Sequence, residues 1–211
     1  MTISITLIII IVTVVTSLGA NNNPELYAKL LFNPYQVIHR KEWHRIFTHG
    51  FVHDRNNIFH LVFNMWVLYI FGRYSEGTIL SELGVLGVFL YLTLYFGAMF
   101  VATIPALIKY KDNYHYNSVG ASGAVSAVLF SMVAMYPISV DIGLILIPFK
   151  PPAIIFGILY IGFEMYMQKR GGTNIAHDAH IWGALFGFFF TLAFVPGAFS
   201  NFITEVLSVF H

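Results

Sequence analysis

The chain has 211 residues, 57% of them hydrophobic and only 10% charged, with a mean hydropathy of +0.72. A water-soluble domain of that size needs far more charge on its surface, so the composition excludes one and describes a polytopic membrane protein folded as one bundle. The formal net charge of +1 gives no footprint for nucleic acid, and the absence of cysteine excludes disulfides, thiolate metal sites and cysteine nucleophiles.

Six spans are expected, each near the ~20 apolar residues that cross hydrocarbon. Residues 3–18 form the first. No Lys or Arg precedes this run, and Leu18 is a poor residue three before a cleavage after Ala20, so it reads as a retained span and not a signal peptide. The connection 21–57 opens with Asn21-Asn22-Asn23-Pro24 as a turn. It carries Trp43, Phe47, Phe51 and four histidines, His39, His44, His49 and His53. Rings in such number place it in the membrane interface. Spans are then expected at 58–71, within 80–108, and at 120–136, 151–167 and 175–195.

Three clusters can do chemistry. Gly120-Ala121-Ser122-Gly123 opens the fourth span. The glycines leave the hydroxyl uncrowded, although small residues in lipid also serve helix packing alone. Ala176-His177-Asp178-Ala179-His180 leads into Gly183 and Gly187, a G-x-x-x-G contact surface one turn beyond His180. If that seam packs on the fourth span, His180 approaches Ser122. In the second span His60 and Asn64 lie four apart on one helix face. They suit oxyanion donors together with the Ser122 N–H, or an interhelical hydrogen bond without catalytic purpose. A serine hydroxyl needs an adjacent base, and His180 is the candidate. Asp178 is on another face of its helix, so a Ser–His dyad without a third acid is expected, and with it no metal or cofactor.

Taken in order, these residues resemble the rhomboid family. Arg45 to His49, His53, and His60 to Asn64 resemble its first loop and second span, and Gly72 and Glu76 the exit of that span. Gly120 to Gly123 resembles the catalytic G-x-S-G, and Ala179-His180 with Gly183 and Gly187 the last core span. The resemblance is to the bacterial, six-span type. It implies an all-α six-helix membrane bundle over residues 1–211. It further implies a serine endopeptidase with a Ser122–His180 dyad, an oxyanion site from His60, Asn64 and the Ser122 N–H, and supporting roles for Gly120, Gly123, His177, Gly183 and Gly187. Substrates would be single-span membrane proteins cut in or near the bilayer, in a bacterial plasma membrane. Three departures stand out. Trp43 and Arg45 are separated by His44, the stretch 54–59 is longer, and Ser126 occupies the place of an aromatic ring that stacks on the histidine.

Orientation is contested within the sequence. The family topology puts Lys29, Arg40, Lys41, Arg45, Arg55, Lys109, Lys111, Lys169 and Arg170 outside and only Arg73 and Lys150 inside, against the positive-inside rule. Access for a substrate helix is expected at the fifth span, where Pro151-Pro152 break the start and Gly157 and Gly162 weaken the packing. Phe156 and Phe163 are its expected bulky contacts, and 168–174 its flexible cap. Two other functions remain open. A metal-dependent hydrolase or metal transporter would use His49, His53, His60, His177 and His180, although no H-E-x-x-H is present. A non-catalytic rhomboid-like protein would bind client helices, although such relatives typically lack the serine or the histidine.

Overall fold

The computed structural model describes residues 4–143, 149–172 and 175–210, and the described residues form ten α-helices and one short 3-10 turn. The long helices are α1 (Ile5–Asn21), α5 (Ile58–Leu83), α6 (Val85–Tyr110), α7 (Ser122–Met135), α8 (Ala153–Arg170) and α9 (His177–Phe194). Each overlaps one of the six expected apolar runs. Residue 3 of the first run and residues 173–174 of the expected cap lie outside the described residues. By length and composition, α6 is long and apolar enough to cross a membrane. The same test is met by α9 joined to α10 (Ala198–Ser208) across a 107° bend, while α1 and α7 are apolar but shorter.

One boundary and one further helix differ from expectation. The second run ends at residue 71 by hydropathy, yet α5 continues to Leu83. Two polar residues of its second half, Ser75 and Glu76, are buried by partners, while Arg73, Ser81 and Glu82 stay exposed. Ser75 donates to the Val128 carbonyl at 3.1 Å. Glu76 accepts the N–H groups of Ile5 at 2.6 Å and Thr6 at 3.0 Å, and the Ser4 hydroxyl at 2.7 Å. A carboxylate there satisfies the donors that the start of α1 leaves unpaired. Helix α10 was not foreseen. The chain turns at Pro196-Gly197, and α10 is held by Glu205, which accepts the N–H groups of Ile138 and Ser139 at 2.9 and 3.0 Å.

Helix α7 is the centre of the molecule, and every residue of it after Ser122 is buried. It is packed by α9, α5, α6 and α8. Packing against α9 is closest because Gly183 and Gly187 lie on the backbone of Gly123 and Ala127, where a Cβ would collide with their carbonyl oxygens. Without a hydrophobic driving force between helices in lipid, such backbone contact is what holds them.

The connection 21–57 folds into α2 (Pro24–Leu30), α3 (Pro34–Arg40), α4 (Arg45–Thr48) and a 3-10 turn at His49–Phe51. Arg45 is buried inside it, donating to Glu42 at 2.6 Å and to the carbonyls of Ala28 and Leu31 at 2.7 and 2.8 Å. Phe32, Val37, Ile46 and Ala106 form a small core of their own beneath it. Trp43 and Phe47 stay exposed.

Candidate active site

The loop ahead of α7 is fixed by the 21–57 segment. Phe32 and Ser118 exchange backbone hydrogen bonds at 3.0 Å each way, and the Gly120 N–H donates to the His49 carbonyl at 3.0 Å. Gly120 has φ +116°, and a Cβ there would stand 2.8 Å from Cε1 of His60. Only glycine takes that backbone and leaves room for the imidazole. The turn delivers Ser122 to the first position of α7, ahead of the first intrahelical bond from Val125 N–H to the Ala121 carbonyl. The N–H groups at this end are therefore free to serve an anion, and the helix dipole favours one there.

His180 enters from α9. Its Nε2 is 2.7 Å from Ser122 Oγ. The glycine seam one turn on sets this distance, because Gly183 cannot approach Gly123 without carrying His180 over the start of α7. Gly123 has the same role from the other side, with the Ala102 side chain and the Ala179 carbonyl against it.

The side chain that sequence reasoning missed is Glu164 on α8. Its Oε1 lies 3.1 Å from His180 Nδ1 and its Oε2 lies 2.6 Å from His177 Nδ1. The expectation of a histidine with no carboxylate beside it is therefore corrected. Asp178, by contrast, accepts the neighbouring Ala179 N–H at 2.9 Å. Buried Gly157, half-buried Tyr160 and buried Glu164 follow one another at helical spacing on α8. Gly157 meets Phe130 and Val133 of α7, and the Tyr160 hydroxyl bonds Ser126 Oγ at 2.8 Å. Ser126 thus does not leave a gap where an aromatic was expected; it ties α7 to α8. Phe163, expected as a packing contact, is 58% exposed, whereas Phe156 is partly buried against the core and stacks on Tyr160 at 6.3 Å.

His60 sits between Gly120 and His53, its ring centroid 5.2 Å from that of His53. Asn64 is buried and donates one amide hydrogen to the His60 carbonyl at 2.8 Å, which leaves its second amide hydrogen to donate elsewhere. His49 and His53 do not join a common cluster with His177 and His180. His49 Nδ1 donates to the Arg45 carbonyl at 3.0 Å. The Ser17 hydroxyl donates to the Phe51 carbonyl, so His53 Nδ1 must donate to Ser17 Oγ at 3.0 Å. His53 Nε2 is then an acceptor, 3.5 Å from the Ala121 N–H. Burial pushes His49 down to about 4, and burial with the neighbouring His60 and His49 pushes His53 down to about 3. Both are neutral supports of the loop. Donor atoms of Glu164, His177 and His180 do fall within 4.8 Å of one another, so among the described residues these three could hold a metal ion.

The family profile described as the Rhomboid domain matches residues 40–197. The chain belongs to the rhomboid family. It is therefore a membrane protein with an all-α rhomboid bundle, in a family that includes serine proteases. RHOMBOID-like protein 12, mitochondrial, of Arabidopsis thaliana is 32% identical over 152 residues, covering 67% of this chain and 43% of that protein. The rhomboid chain described here thus spans less than half the length of that curated relative.

Proposed function

We propose that this rhomboid is an intramembrane serine endopeptidase that cleaves single-span membrane proteins, with Ser122 as nucleophile and His180 as general base. The observation that carries the reading is the 2.7 Å contact between Ser122 Oγ and His180 Nε2 at the start of α7. That is the geometry of an activated hydroxyl. Ser122 Oγ attacks the scissile carbonyl while His180 Nε2 takes its proton. The oxyanion is received by the Ser122 N–H with His60 and Asn64 as side-chain donors. His180 then returns the proton to the leaving amine, and water hydrolyses the acyl-enzyme. A cavity of 30 Å³ lined by Thr103, Ser118 and Ser122 is large enough to supply that water.

The depth of the site also suits the reading. Helix α7 has 14 residues, so it is about 21 Å long, against about 30 Å of hydrocarbon. A nucleophile at its N-terminus lies below the membrane surface in a single domain of six spans. The proposed setting is the plasma membrane of a bacterium, following the bacterial-type resemblance.

A second reading is favoured by one observation, the Glu164–His177–His180 donor set, which suits a zinc-like ion. Labelling with a serine-directed fluorophosphonate, beside cleavage of a reporter single-span substrate, separates the two. Wild type is expected to label and cleave in the presence of chelator, and Ser122→Ala to do neither while remaining folded. Cleavage by Ser122→Ala, or its loss on chelation alone, overturns the serine reading.

A further inference from the structure

Helix α8 carries a single acidic residue, Glu164, in an apolar run, and that residue is 5% exposed. A buried carboxylate is costly unless its oxygens are held. Here both oxygens are held by imidazoles from another helix. His177 and His180 lie three apart on α9, so they share a face and meet α8 together. Helix α8 is otherwise thinly packed: among its side chains, Ile155, Ile158, Leu159, Phe163, Met165 and Tyr166 are exposed. An acid placed only to glue helices would be an expensive choice where apolar surface is so plentiful.

Its position against His180 has a chemical consequence. To take the Ser122 proton, His180 must present a bare Nε2, and a neutral imidazole then carries its proton on Nδ1. Glu164 Oε1 is the acceptor at that Nδ1, 3.1 Å away. It fixes the required tautomer and ring orientation. When Nε2 receives the serine proton, the imidazolium charge forms beside a carboxylate. The Nδ1 proton stays on His180 throughout, and Glu164 stays ionised. His177, 2.6 Å from the other oxygen, sets the direction of the carboxylate.

We propose that Glu164 is the positioning acid of His180, so that the site works as a Ser122–His180–Glu164 triad assembled from three helices, with His177 anchoring the carboxylate. This rests on the reading of Ser122 and His180 given above.

The test compares wild type, Glu164→Gln, Ser122→Ala and His180→Ala for kcat and KM on a reporter single-span substrate. Thermal unfolding in detergent is measured alongside, with the imidazole ¹⁵N spectrum of wild type assigned by its loss in His180→Gln. In soluble triads, replacing the acid costs up to about 10⁴ in kcat, so Glu164→Gln is expected to lose about 10²–10⁴-fold in kcat with KM and unfolding temperature little changed. Wild-type His180 is expected to show the neutral tautomer with its proton on Nδ1. A kcat within about threefold of wild type in folded Glu164→Gln overturns the proposal. So does a wild-type His180 protonated on Nε2, which decides the matter even where the variant fails to fold. A loss of activity on chelation, restored by zinc, also overturns it, because Glu164 would then be a ligand. If Ser122→Ala or His180→Ala remains active, the underlying dyad fails; if both are inactive and Glu164→Gln is not, only the triad fails.

Discussion

Gly187 lies so close to Ala127 that a Cβ at position 187 would fall on the Ala127 carbonyl oxygen. The same holds for Gly183 against Gly123. A methyl at either site must push α9 off α7, and His180 moves with it. Gly183→Ala and Gly187→Ala are each expected to cost about 1–3 kcal/mol by overpacking. Gly183→Ala should lose more activity, because it is one turn from His180. Thermal unfolding and turnover measured together check this; Gly162→Ala, where a Cβ meets nothing within 4 Å, is the control.

The nucleophile and base act as a unit, so their losses do not add. His180→Ala is expected to be as inactive as Ser122→Ala, and the double variant no worse. His177→Ala should be milder than His180→Ala, since it touches the carboxylate and not the serine. Single-turnover assays of the four proteins decide; an active His180→Ala beside an inactive His177→Ala sinks the assignment.

Removal of one oxyanion donor typically costs about 10²–10³ in kcat. Asn64→Ala and His60→Ala are each expected to lower kcat with little change in KM. His60→Ala should also loosen the turn at Gly120, on which the ring packs. Unchanged turnover in both variants would return the pair to a role in helix packing.

Stability should fall in acid. His49 and His53 titrate near 6.5 when unfolded but at about 4 and about 3 when folded. Within that window the unfolded chain binds more protons, so their contribution is complete above 6.5 and is lost progressively as pH falls from 6.5 toward the folded values. The unfolding temperature is expected to drop between about pH 7 and about pH 4.5, and His53→Gln to flatten the slope. A wild-type profile level over that range would count against buried neutral imidazoles.

Substrate access is expected beside α8, which packs on α9 and α7 but scarcely on α5. A substrate helix must also unwind to present its carbonyl. A reducible cross-linker joining cysteines engineered in α5 and α8 should slow cleavage of membrane substrates, and reduction should restore it. The native chain has no cysteine to interfere. Equal rates before and after reduction would direct attention to another pair of helices.

The sequence by itself determined the membrane class, the six apolar runs and the two motifs around Ser122 and His180. Those were legible because they are local: glycine at positions 120 and 123, and at 183 and 187, marks close backbone approach whatever the partner turns out to be. The full length of α5 was not legible, because Ser75 and Glu76 read as the end of a span until Val128 and the start of α1 are seen to satisfy them. Only the tertiary structure decided that Glu164 meets His177 and His180. The three residues lie on two separate helices, and no helical period links Glu164 to the histidines. Their meeting depends on how α8 rotates about its axis as Gly157 and Tyr160 pack on α7. A rotation set by side chains of a third helix is a property of the assembled bundle and has no signature within any one segment.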